Sequence, residues 1–297
     1  MKASARAVWI GDDTILELAL ARAGVEEVLH ARGECLEAFR DPRSAVATSA
    51  DPGGDAAATP RLALLATDQP ARWTLADAVR LSLAWPLMPI VSVAASLVDG
   101  RRRSGPALPG VEEVAWHELP GRLDRWLAAW DRGVPGVIGL PATTRRDERL
   151  LAMEAVDSHV SATPVSVVAA TPIDADGIAD MVEAAGGSVA AKACGKPRLD
   201  EPAAVLIWDA GRLSPEGLAW LRLLSANRPA LQTIMLESFP RGDSVQAALD
   251  AGAAAVLGRP LSLEALGGTL SRLHRARMAL GKQAGLASIP ADVVPRP

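Results

Sequence analysis

The chain contains no tyrosine and only two phenylalanines, so its aromatic packing depends on eight tryptophans. Cysteine is nearly as scarce, because Cys35 and Cys194 are the only two and lie far apart in the sequence. This excludes the disulfide framework of a small secreted protein and is typical of reduced thiols inside a cell. We therefore expect a cytoplasmic protein without a disulfide network.

An excess of positive charge is also missing. Among the 297 residues, 31 are Lys or Arg and 35 are Asp or Glu, which gives a formal net charge of -4. Such a balance provides no overall attraction to nucleic acid. One apolar stretch, residues 81–98, approaches the length of a membrane span, but Pro86 and Pro89 divide it into a helix end and a buried strand. We expect neither nucleic-acid binding nor insertion into a membrane.

The sequence signatures of common enzymes are absent as well. There is no glycine-rich phosphate loop, no zinc-binding His-Glu-x-x-His pair and no Cys-x-x-Cys. The four histidines are isolated from one another and are interpreted as structural or surface residues; they are His30, His117, His159 and His274. No pairing of a nucleophile with a base supports an enzyme. We therefore expect a protein without catalysis, cofactor or bound metal.

What the sequence does contain is an alternation of strand-like and helical segments. In the C-terminal half the strand-like runs are 164–170, 203–209, 231–238 and 254–258, and helical patterns cover 174–187, 214–226, 242–252 and 262–280. In the N-terminal half the strand-like runs are 6–13, 26–31, 61–67, 88–96 and 111–120, and residues 41–60 have the composition of a surface insertion. Strands alternating with helices predict a parallel, doubly wound sheet in each half.

The domain boundaries follow from this alternation. We predict one α/β domain over residues 1–134 and a second over 163–282. Residues 135–162 form the connecting segment, in which apolar positions among charged residues predict an amphipathic helix. Residues 283–297 are expected to form a flexible tail. The predicted fold class is therefore two doubly wound α/β domains in tandem, joined by a helix.

Charged residues stand at the strand ends of the C-terminal half. Asp209 ends one strand, Glu237 ends the next, and Arg259 follows the last strand and precedes Pro260. The carboxyl ends of parallel strands meet at one edge of a sheet, where ligands and reactive groups lie. Gly217 follows Asp209 by eight residues, and the run AGAAAVLGRP at 251–260 contains the last strand and ends in Arg259-Pro260. In these features the C-terminal half resembles the CheY-like receiver domains of response regulators.

The resemblance implies a site at which an aspartate accepts a phosphoryl group with the help of Mg²⁺. In the family, two acids after the first strand hold the metal, and a Thr or Ser and a Lys contact the phosphoryl oxygens. Here Asp209 matches the acceptor, whereas Ala169 and Ala170 replace the acids, Glu237 replaces the Thr or Ser, and Arg259 replaces the Lys. Alanine cannot ligate a cation, and Glu237 repels a phosphoryl group. We therefore predict a vestigial site in which Arg259 pairs with Asp209, Glu237 or both.

Two further acids stand near this predicted site, at the start of the helix that follows the first strand of this half. Asp174 and Asp176 are within reach as substitute acids, but their position at a helix start favours a capping role.

The N-terminal half is interpreted as a second, more divergent receiver-like domain. Asp12 and Asp13 directly follow its first strand and fit the position of the Mg²⁺-binding acids. However, Ala66 stands where the acceptor is expected, and Asp68 lies two residues further on. An unrelated α/β domain is the alternative.

The last helix carries the predicted interaction surface. In receivers the face built by the fourth helix, the fifth strand and the last helix carries dimer and partner contacts, so the resemblance implies a protein partner, a second copy of the chain included. The residues of this predicted face are Leu263, Leu266, Leu270, Arg272, Leu273 and Arg275. The pair Gly267-Gly268 in mid-helix predicts either close packing of another backbone or fraying of the helix. The helix with Trp126 and Trp130 is the second candidate surface.

These features lead to one functional hypothesis and one alternative. The hypothesis is a non-catalytic signalling or scaffold protein that acts through protein contacts, independently of phosphorylation. The alternative is a phospho-accepting response regulator of a two-component system that uses Asp209.

Overall fold

The computed structural model describes residues 5–49, 60–99, 108–134, 138 and 163–287. The predicted connecting helix within 135–162 lies outside these residues. Within the described ranges, no helix is both long and apolar enough to cross a membrane.

The N-terminal half forms a parallel five-stranded sheet with the order β2-β1-β3-β4-β5. Its strands are β1 (Ala5–Ile10), β2 (Cys35–Phe39), β3 (Leu62–Thr67), β4 (Ile90–Ala94) and β5 (Val111–Ala115). Its helices are α1 (Leu16–His30), α2 (Pro42–Ser49), α3 (Leu75–Ala84), α4 (Ser96–Asp99) and α5 (Leu119–Asp131). Every residue of β3 and β4 is buried, which is why these strands read as continuous apolar runs.

The C-terminal half forms a second parallel five-stranded sheet with the order β7-β6-β8-β9-β10. Its strands are β6 (Pro164–Ala169), β7 (Ser188–Cys194), β8 (Val205–Asp209), β9 (Gln232–Glu237) and β10 (Ala253–Gly258). Its helices are α6 (Pro172–Ala184), α7 (Pro215–Asn227), α8 (Gly242–Asp250) and α9 (Leu263–Ala287).

The two sheets have the same strand order relative to the chain, 2-1-3-4-5, which is the order of flavodoxin and CheY. The prediction of two doubly wound α/β domains in tandem is therefore confirmed. This order reverses between β1 and β3 in the first sheet and between β6 and β8 in the second. Ligands of such sheets bind at the carboxyl ends of the strands at this topological switch point.

Three details of the sequence interpretation are wrong. Residues 26–31 are not a strand: residues 26–30 belong to α1, whose apolar positions Leu18, Val25 and Leu29 are buried at helical spacing. The second strand is β2 instead, and the predicted insertion at 41–60 begins with helix α2. At the C-terminus α9 continues to Ala287, five residues past the predicted end of the domain at 282.

Candidate functional site

The carboxyl ends of β6, β8, β9 and β10 bring the predicted site residues to one edge of the second sheet. Asp209 pairs with Leu236 across β8 and β9, and Gly258 pairs with Glu237 across β9 and β10. The backbone N–H of Arg259 then donates to the Glu237 carbonyl at 3.0 Å. Asp209, Glu237 and Arg259 therefore lie on adjacent strands, as the sequence predicts.

Arg259 forms an ion pair with Asp209. Its Nη2 lies 2.7 Å from Asp209 Oδ2, and the Asp209 side chain is only 1% exposed. The N–H direction is not aligned with this buried oxygen, which accepts no hydrogen bond from the residues that the structure describes, so the contact is ionic. The other oxygen, Oδ1, accepts a hydrogen bond from the N–H of Gly211 at 3.0 Å. The predicted pairing of Arg259 with Asp209 is confirmed.

A second acid, Asp174, completes the arrangement. The same Arg259 Nη2 donates to Asp174 Oδ1 at 3.1 Å, so one guanidinium bridges two carboxylates. Thr171 caps α6, because its Oγ1 accepts the N–H of Asp174, and Asp174 supports this cap because its Oδ2 accepts from the Thr171 hydroxyl. The hydrogen bond from Thr171, with the charge of Arg259, lowers the pKa of Asp174. Asp174 thus supports the helix cap and also pairs with Arg259, a double role that its position at a helix start does not reveal.

The other candidate acid of α6 lies elsewhere. Asp176 Oδ1 is 2.5 Å from Lys192 Nζ, and both side chains are about half exposed. It is a surface ion pair outside the candidate site.

Glu237 has a different partner from the one predicted. Its Oε2 accepts a hydrogen bond from Ser244 Oγ at 2.8 Å, at the start of α8. Burial raises the pKa of Glu237, and the Ser244 hydroxyl opposes this effect. In the described part of the chain its carboxylate forms no ion pair with Arg259, so of the two acids that the prediction offered, Asp209 is the partner. Through this hydrogen bond Glu237 connects the end of β9 to α8.

The residues at this edge do not fit the Mg²⁺ site of a receiver. Ala169 is buried and Ala170 is exposed, and neither offers an oxygen ligand from its side chain. The guanidinium of Arg259 lies within 3.1 Å of Asp174 and 2.7 Å of Asp209. A cation placed between these carboxylates would meet that positive charge. Across the described ranges, no group of three or more His, Cys, Asp or Glu side chains is placed to hold a metal ion.

The equivalent edge of the first sheet is filled by an aromatic ring. Ile10 pairs with Leu65 as Val168 pairs with Trp208, so Gly11 and Ala66 take the positions of Ala169 and Asp209.

The ring belongs to Trp73, which is buried. Its Nε1 donates to the Ala66 carbonyl at 2.9 Å. A methyl group on Gly11 would lie 2.9 Å from the Trp73 ring, so glycine is required for this close approach. The Trp73 ring therefore lies against Gly11 and Ala66, and the methyl side chain of Ala66 cannot accept a phosphoryl group.

The predicted acidic pair of the first domain serves local contacts. Asp13 Oδ2 lies 2.7 Å from Arg22 Nη1 on α1. Asp12 Oδ1 accepts the N–H of Thr14 at 2.9 Å. By strand register Asp12 is equivalent to Ala170 and Asp13 to Thr171, one position later than the pair predicted from the sequence.

The leucines of the predicted partner face are not available to a partner. Leu266, Leu270 and Leu273 are buried and pack on the second sheet with α6, and Leu263 is partly buried against the same cluster. They form the core of their own domain, because the 3.6-residue period places them on the inner side of α9. The prediction that this stripe is an interaction surface is therefore wrong.

The arginines of the same predicted face contact the first domain. Arg272 Nη1 lies 3.0 Å from Glu27 Oε1 on α1. Arg275 pairs with Asp124 on α5, whose side chain is 3% exposed. Asp124 also contacts Arg32, at 3.3 Å. The basic rim predicted to meet a partner thus meets the acids of the chain itself.

The glycine pair of α9 lies where α5 crosses it. A methyl group on Gly268 would lie 1.8 Å from the Gly121 carbonyl oxygen, and one on Gly121 would lie 2.7 Å from the Ala265 carbonyl oxygen. Of the two interpretations of the glycine pair, close packing of another backbone is confirmed. That backbone is the α5 helix of the same chain.

Helix α5 carries the second candidate surface, and it therefore packs against α9, the helix that carries the first candidate surface. Trp126 is 2% exposed, and its Nε1 donates to the Glu264 carboxylate of α9. Arg122 Nη1 lies 3.3 Å from the other oxygen of Glu264. Trp130 is partly buried and lies under the guanidinium of Arg61, 5.6 Å from the ring centre. The sequence pattern identified both helices, but not that they pair with each other.

Glu17 of α1 forms a further link between the domains. Its carboxylate accepts hydrogen bonds from the N–H and hydroxyl of Ser96, at 2.8 and 2.7 Å, and from the N–H of Gly242 at 3.3 Å. Ser96 begins α4 and Gly242 begins α8, so one carboxylate satisfies the amino ends of helices in both domains. Glu17 carries no signal in the sequence that distinguishes it from a surface residue of α1.

No protein-family model and no curated protein sequence matches the chain. Solved structures that are similar include a putative pilus assembly-related protein from Burkholderia pseudomallei, with a TM-score of 0.35 and 22% identity over 39% of this chain and 90% of that one.

A response regulator from Thermotoga maritima has a TM-score of 0.32 and 19% identity, over 38% of this chain and 97% of that one. The anti-anti-sigma factor PhyR from Bartonella quintana has a TM-score of 0.37 and 16% identity, over 56% of this chain and 70% of that one. Proteins described as response regulators are therefore among the similar solved structures. The strand order of both sheets independently gives the CheY-like fold.

Proposed function

We propose that the chain is a response-regulator-like signalling protein that acts through protein contacts and not through phosphoryl transfer. The observation that carries this proposal is the Arg259 guanidinium, which bridges Asp209 and Asp174 at the edge where a receiver would bind Mg²⁺ and the phosphoryl group. The ion pair between Arg259 and the Asp209 carboxylate takes the place of the contact that a receiver's cation would form with a phosphoryl group.

The chemistry of the neighbouring residues supports the same proposal. Phosphoryl transfer to a carboxylate depends on a metal that neutralises the developing charge. Ala169 and Ala170 provide no ligand for such a metal, and Glu237 would place a negative charge beside the incoming group when ionised. The first domain has Ala66 at the acceptor position and a tryptophan ring in the pocket. Neither domain has the residues of a working receiver site.

Incubation of the full chain with acetyl phosphate and Mg²⁺ tests this proposal. Intact-mass and peptide mass spectrometry should show no phosphoryl group on Asp209, under conditions that label an ordinary receiver treated in parallel. The matched variant carries Ala169→Asp, Ala170→Asp, Glu237→Thr and Arg259→Lys, and it should gain labelling at Asp209 if the missing groups are the reason.

The alternative is a response regulator that still accepts a phosphoryl group on Asp209. It is favoured by the observation that Asp209 keeps the acceptor position while, among the described residues, no aligned donor forms a hydrogen bond to its Oδ2. Stoichiometric labelling of Asp209 in the natural chain would establish this alternative and overturn the proposal.

The partner is proposed to be a protein, not nucleic acid or membrane lipid. The face of α8, β10 and α9 is covered by α1 and α5 in this structure, through Arg272–Glu27, Arg275–Asp124 and the Gly121–Gly268 crossing. A second copy of the chain, or another partner, would therefore use that face only after the two domains separate. We therefore propose that the contact between the domains controls whether a partner can bind to that face.

A further inference from the structure

The short segment between β9 and α8 connects the candidate site to the first domain. It runs from Glu237, the last residue of β9, to Gly242, the first residue of α8. Its Pro240 carbonyl oxygen lies 3.2 Å from Ser96 Oγ of the first domain. The Gly242 N–H donates to Glu17 Oε1 of the same domain at 3.3 Å. The conformation of this segment therefore determines whether the two domains meet here.

Helix α8 begins without a side-chain cap of its own. Helices α3, α6 and α7 each begin after a Thr or Ser whose hydroxyl oxygen accepts an N–H of the first turn. The residue before α8 is Arg241, whose side chain carries donors only and cannot accept such an N–H. The acceptor for the Gly242 N–H is Glu17 of the first domain. The start of α8 is therefore completed only when the two domains are packed.

Glu237 fixes the same helix start from the side of the candidate site. The Ser244 hydroxyl lies 2.8 Å from Glu237 Oε2 and 3.0 Å from the Arg241 carbonyl oxygen. Its single proton favours the carboxylate, because a charged acceptor forms the stronger hydrogen bond. The hydroxyl oxygen accepts the Arg241 N–H at 3.2 Å. Through Ser244, Glu237 thereby positions the backbone directly before Gly242.

The backbone between these two anchors has an unfavourable conformation. Phe239 has a φ of 67°, in the left-handed region that residues other than glycine rarely adopt. Its side chain is 78% exposed, so packing of the ring does not explain this conformation. The neighbouring Ser238 N–H donates to the Gly211 carbonyl at 3.2 Å. A strained residue persists only where its surroundings fix it, so the segment should relax when one of its anchors is lost.

We propose that Glu237 is a positioning residue that couples the candidate site to the contact between the domains. It acts through Ser244 on the start of α8, whose Gly242 N–H meets the Glu17 carboxylate. A change in the contacts of Glu237 would then alter access to the covered face of α8, β10 and α9. The inference deepens the proposed function and rests on it for its biological meaning, because it names the residue that regulates the domain contact.

Nuclear magnetic resonance and small-angle X-ray scattering of the full chain test this coupling. Glu237→Leu removes the acceptor, and we expect hydrogen exchange of the Gly242 amide to accelerate at least about tenfold. The amide signal of Ser96 should shift, although Ser96 belongs to the other domain, because its contact with Pro240 is lost. The radius of gyration should rise above the roughly 19 Å of a compact chain. Glu237→Gln keeps an acceptor for Ser244 and should change the exchange rate at most about threefold.

Two further variants separate coupling from a general loss of stability. Ser244→Ala should reproduce the effects of Glu237→Leu, and the two changes together should add nothing, because they remove the same hydrogen bond. Glu201→Leu is the matched control. Glu201 is also a buried glutamate of the second domain, and its Oε1 accepts the Arg198 N–H at 2.9 Å. Its loss should lower the stability of that domain and leave the Ser96 signal and the radius unchanged.

Several results would overturn the inference. An unchanged Ser96 signal and radius in a folded Glu237→Leu variant would show that the domain contact does not depend on Glu237. Equal effects of Gln and Leu at position 237 would exclude the hydrogen bond to Ser244 as the link. An equal response to Glu201→Leu would show that any loss of stability opens the chain. If Glu237→Leu does not fold, unchanged readouts in Ser244→Ala exclude the coupling.

This experiment and the phosphoryl-labelling experiment fail independently. Neither the exchange rate of Gly242 nor the radius of gyration depends on phosphoryl transfer. Failure of the coupling would therefore leave the proposed absence of phosphoryl transfer intact. Labelling of Asp209 would overturn the proposed function and leave a measured coupling in place.

Discussion

At the scale of single residues, Arg259 determines the character of the degenerate site. Its side chain ends in a planar guanidinium, whose fork can contact two carboxylates at once. In the structure it contacts Asp209 and Asp174 together, and Asp209 is nearly inaccessible to solvent. Removal of the guanidinium would leave a buried carboxylate without its counter-charge, which is more costly than the pair itself is stabilising.

We therefore expect Arg259→Ala to destabilise the second domain by about 1–3 kcal/mol, less than for a fully buried pair because Arg259 is partly exposed. Urea denaturation of the full chain measures the change. In the Asp209→Asn background the same substitution should cost clearly less, because the buried charge is gone. Equal costs in both backgrounds would mean that Arg259 acts through packing alone. Arg198→Ala, at an exposed ion pair, is the control and should have little effect.

The residue scale also shows what the sequence could predict about the site. The position of Asp209, Glu237 and Arg259 at successive strand ends was sufficient to place them at one edge, because parallel strands end together. The contact of Asp174 with Arg259 depends on how far α6 lies from β10, which no local pattern specifies. The hydrogen bond from the Ser244 hydroxyl to Glu237 was not predictable for the same reason, because tertiary packing determines which side chain meets the carboxylate.

At the scale of elements, the crossing of α5 and α9 explains one of the two glycines inside α9, Gly268. Glycine in a helix interior costs about 1 kcal/mol relative to alanine. That cost is offset here because the Gly268 backbone touches Gly121. The adjacent Gly267 is different: a methyl group there would meet only the Arg125 guanidinium at 2.9 Å and the Ala185 methyl at 3.7 Å. The end of a long side chain can move aside, but a helix backbone cannot.

The two glycines should therefore respond in opposite directions to alanine. Gly268→Ala forces α5 and α9 apart, and we expect a loss of about 1–3 kcal/mol in the free energy of unfolding, as for overpacking in a core. Gly267→Ala should be neutral or stabilising by up to about 1 kcal/mol. Thermal unfolding of both variants beside the natural chain measures the difference. If Gly268→Ala is also stabilising, the helices are not in contact at this point.

The same scale shows where sequence patterns misled the interpretation of the elements. The run at 26–31 contains valine and leucine between charged residues, a pattern that by itself predicts a strand. The longer pattern that begins at Leu18 has helical spacing, and the structure follows the longer pattern. On α9 the leucine stripe was visible in the sequence, but a stripe does not reveal whether it faces its own sheet or a partner. In the structure the leucine stripe packs on the sheet of its own domain, because α9 has to cover the apolar side of that sheet.

At the scale of the whole molecule, one domain covers the face that a receiver uses for its partners. The covering surface has a polar rim that joins basic residues of α9 to acids of the first domain: Arg272 to Glu27 and Arg275 to Asp124. Next to this rim lie the backbone crossing and the Glu17 carboxylate, which binds the amino ends of two helices. The charged rim is the part that a substitution can reverse without disturbing either core.

Reversal of that charge should therefore open the molecule while both domains stay folded. We expect Arg272→Glu with Arg275→Glu to raise the radius of gyration in small-angle X-ray scattering above the roughly 19 Å of a compact chain of this length. The physical reason is that Asp124, almost fully buried, would face a negative charge in place of the Arg275 cation and keep only its contact with Arg32. Circular dichroism should be unchanged, because neither arginine belongs to a sheet.

Compensation provides the decisive comparison for the same prediction. Arg272→Glu alone should open the chain in part, and Glu27→Arg added to it should close the chain again, because the ion pair is restored with its signs exchanged. Arg222→Glu on the exposed side of α7 changes the net charge by the same amount as Arg272→Glu alone and should leave the radius as it is. A radius that stays the same in the double variant, or that Glu27→Arg does not recover, would place the force between the domains in the glycine crossing and the Glu17 contacts, not in the charged rim.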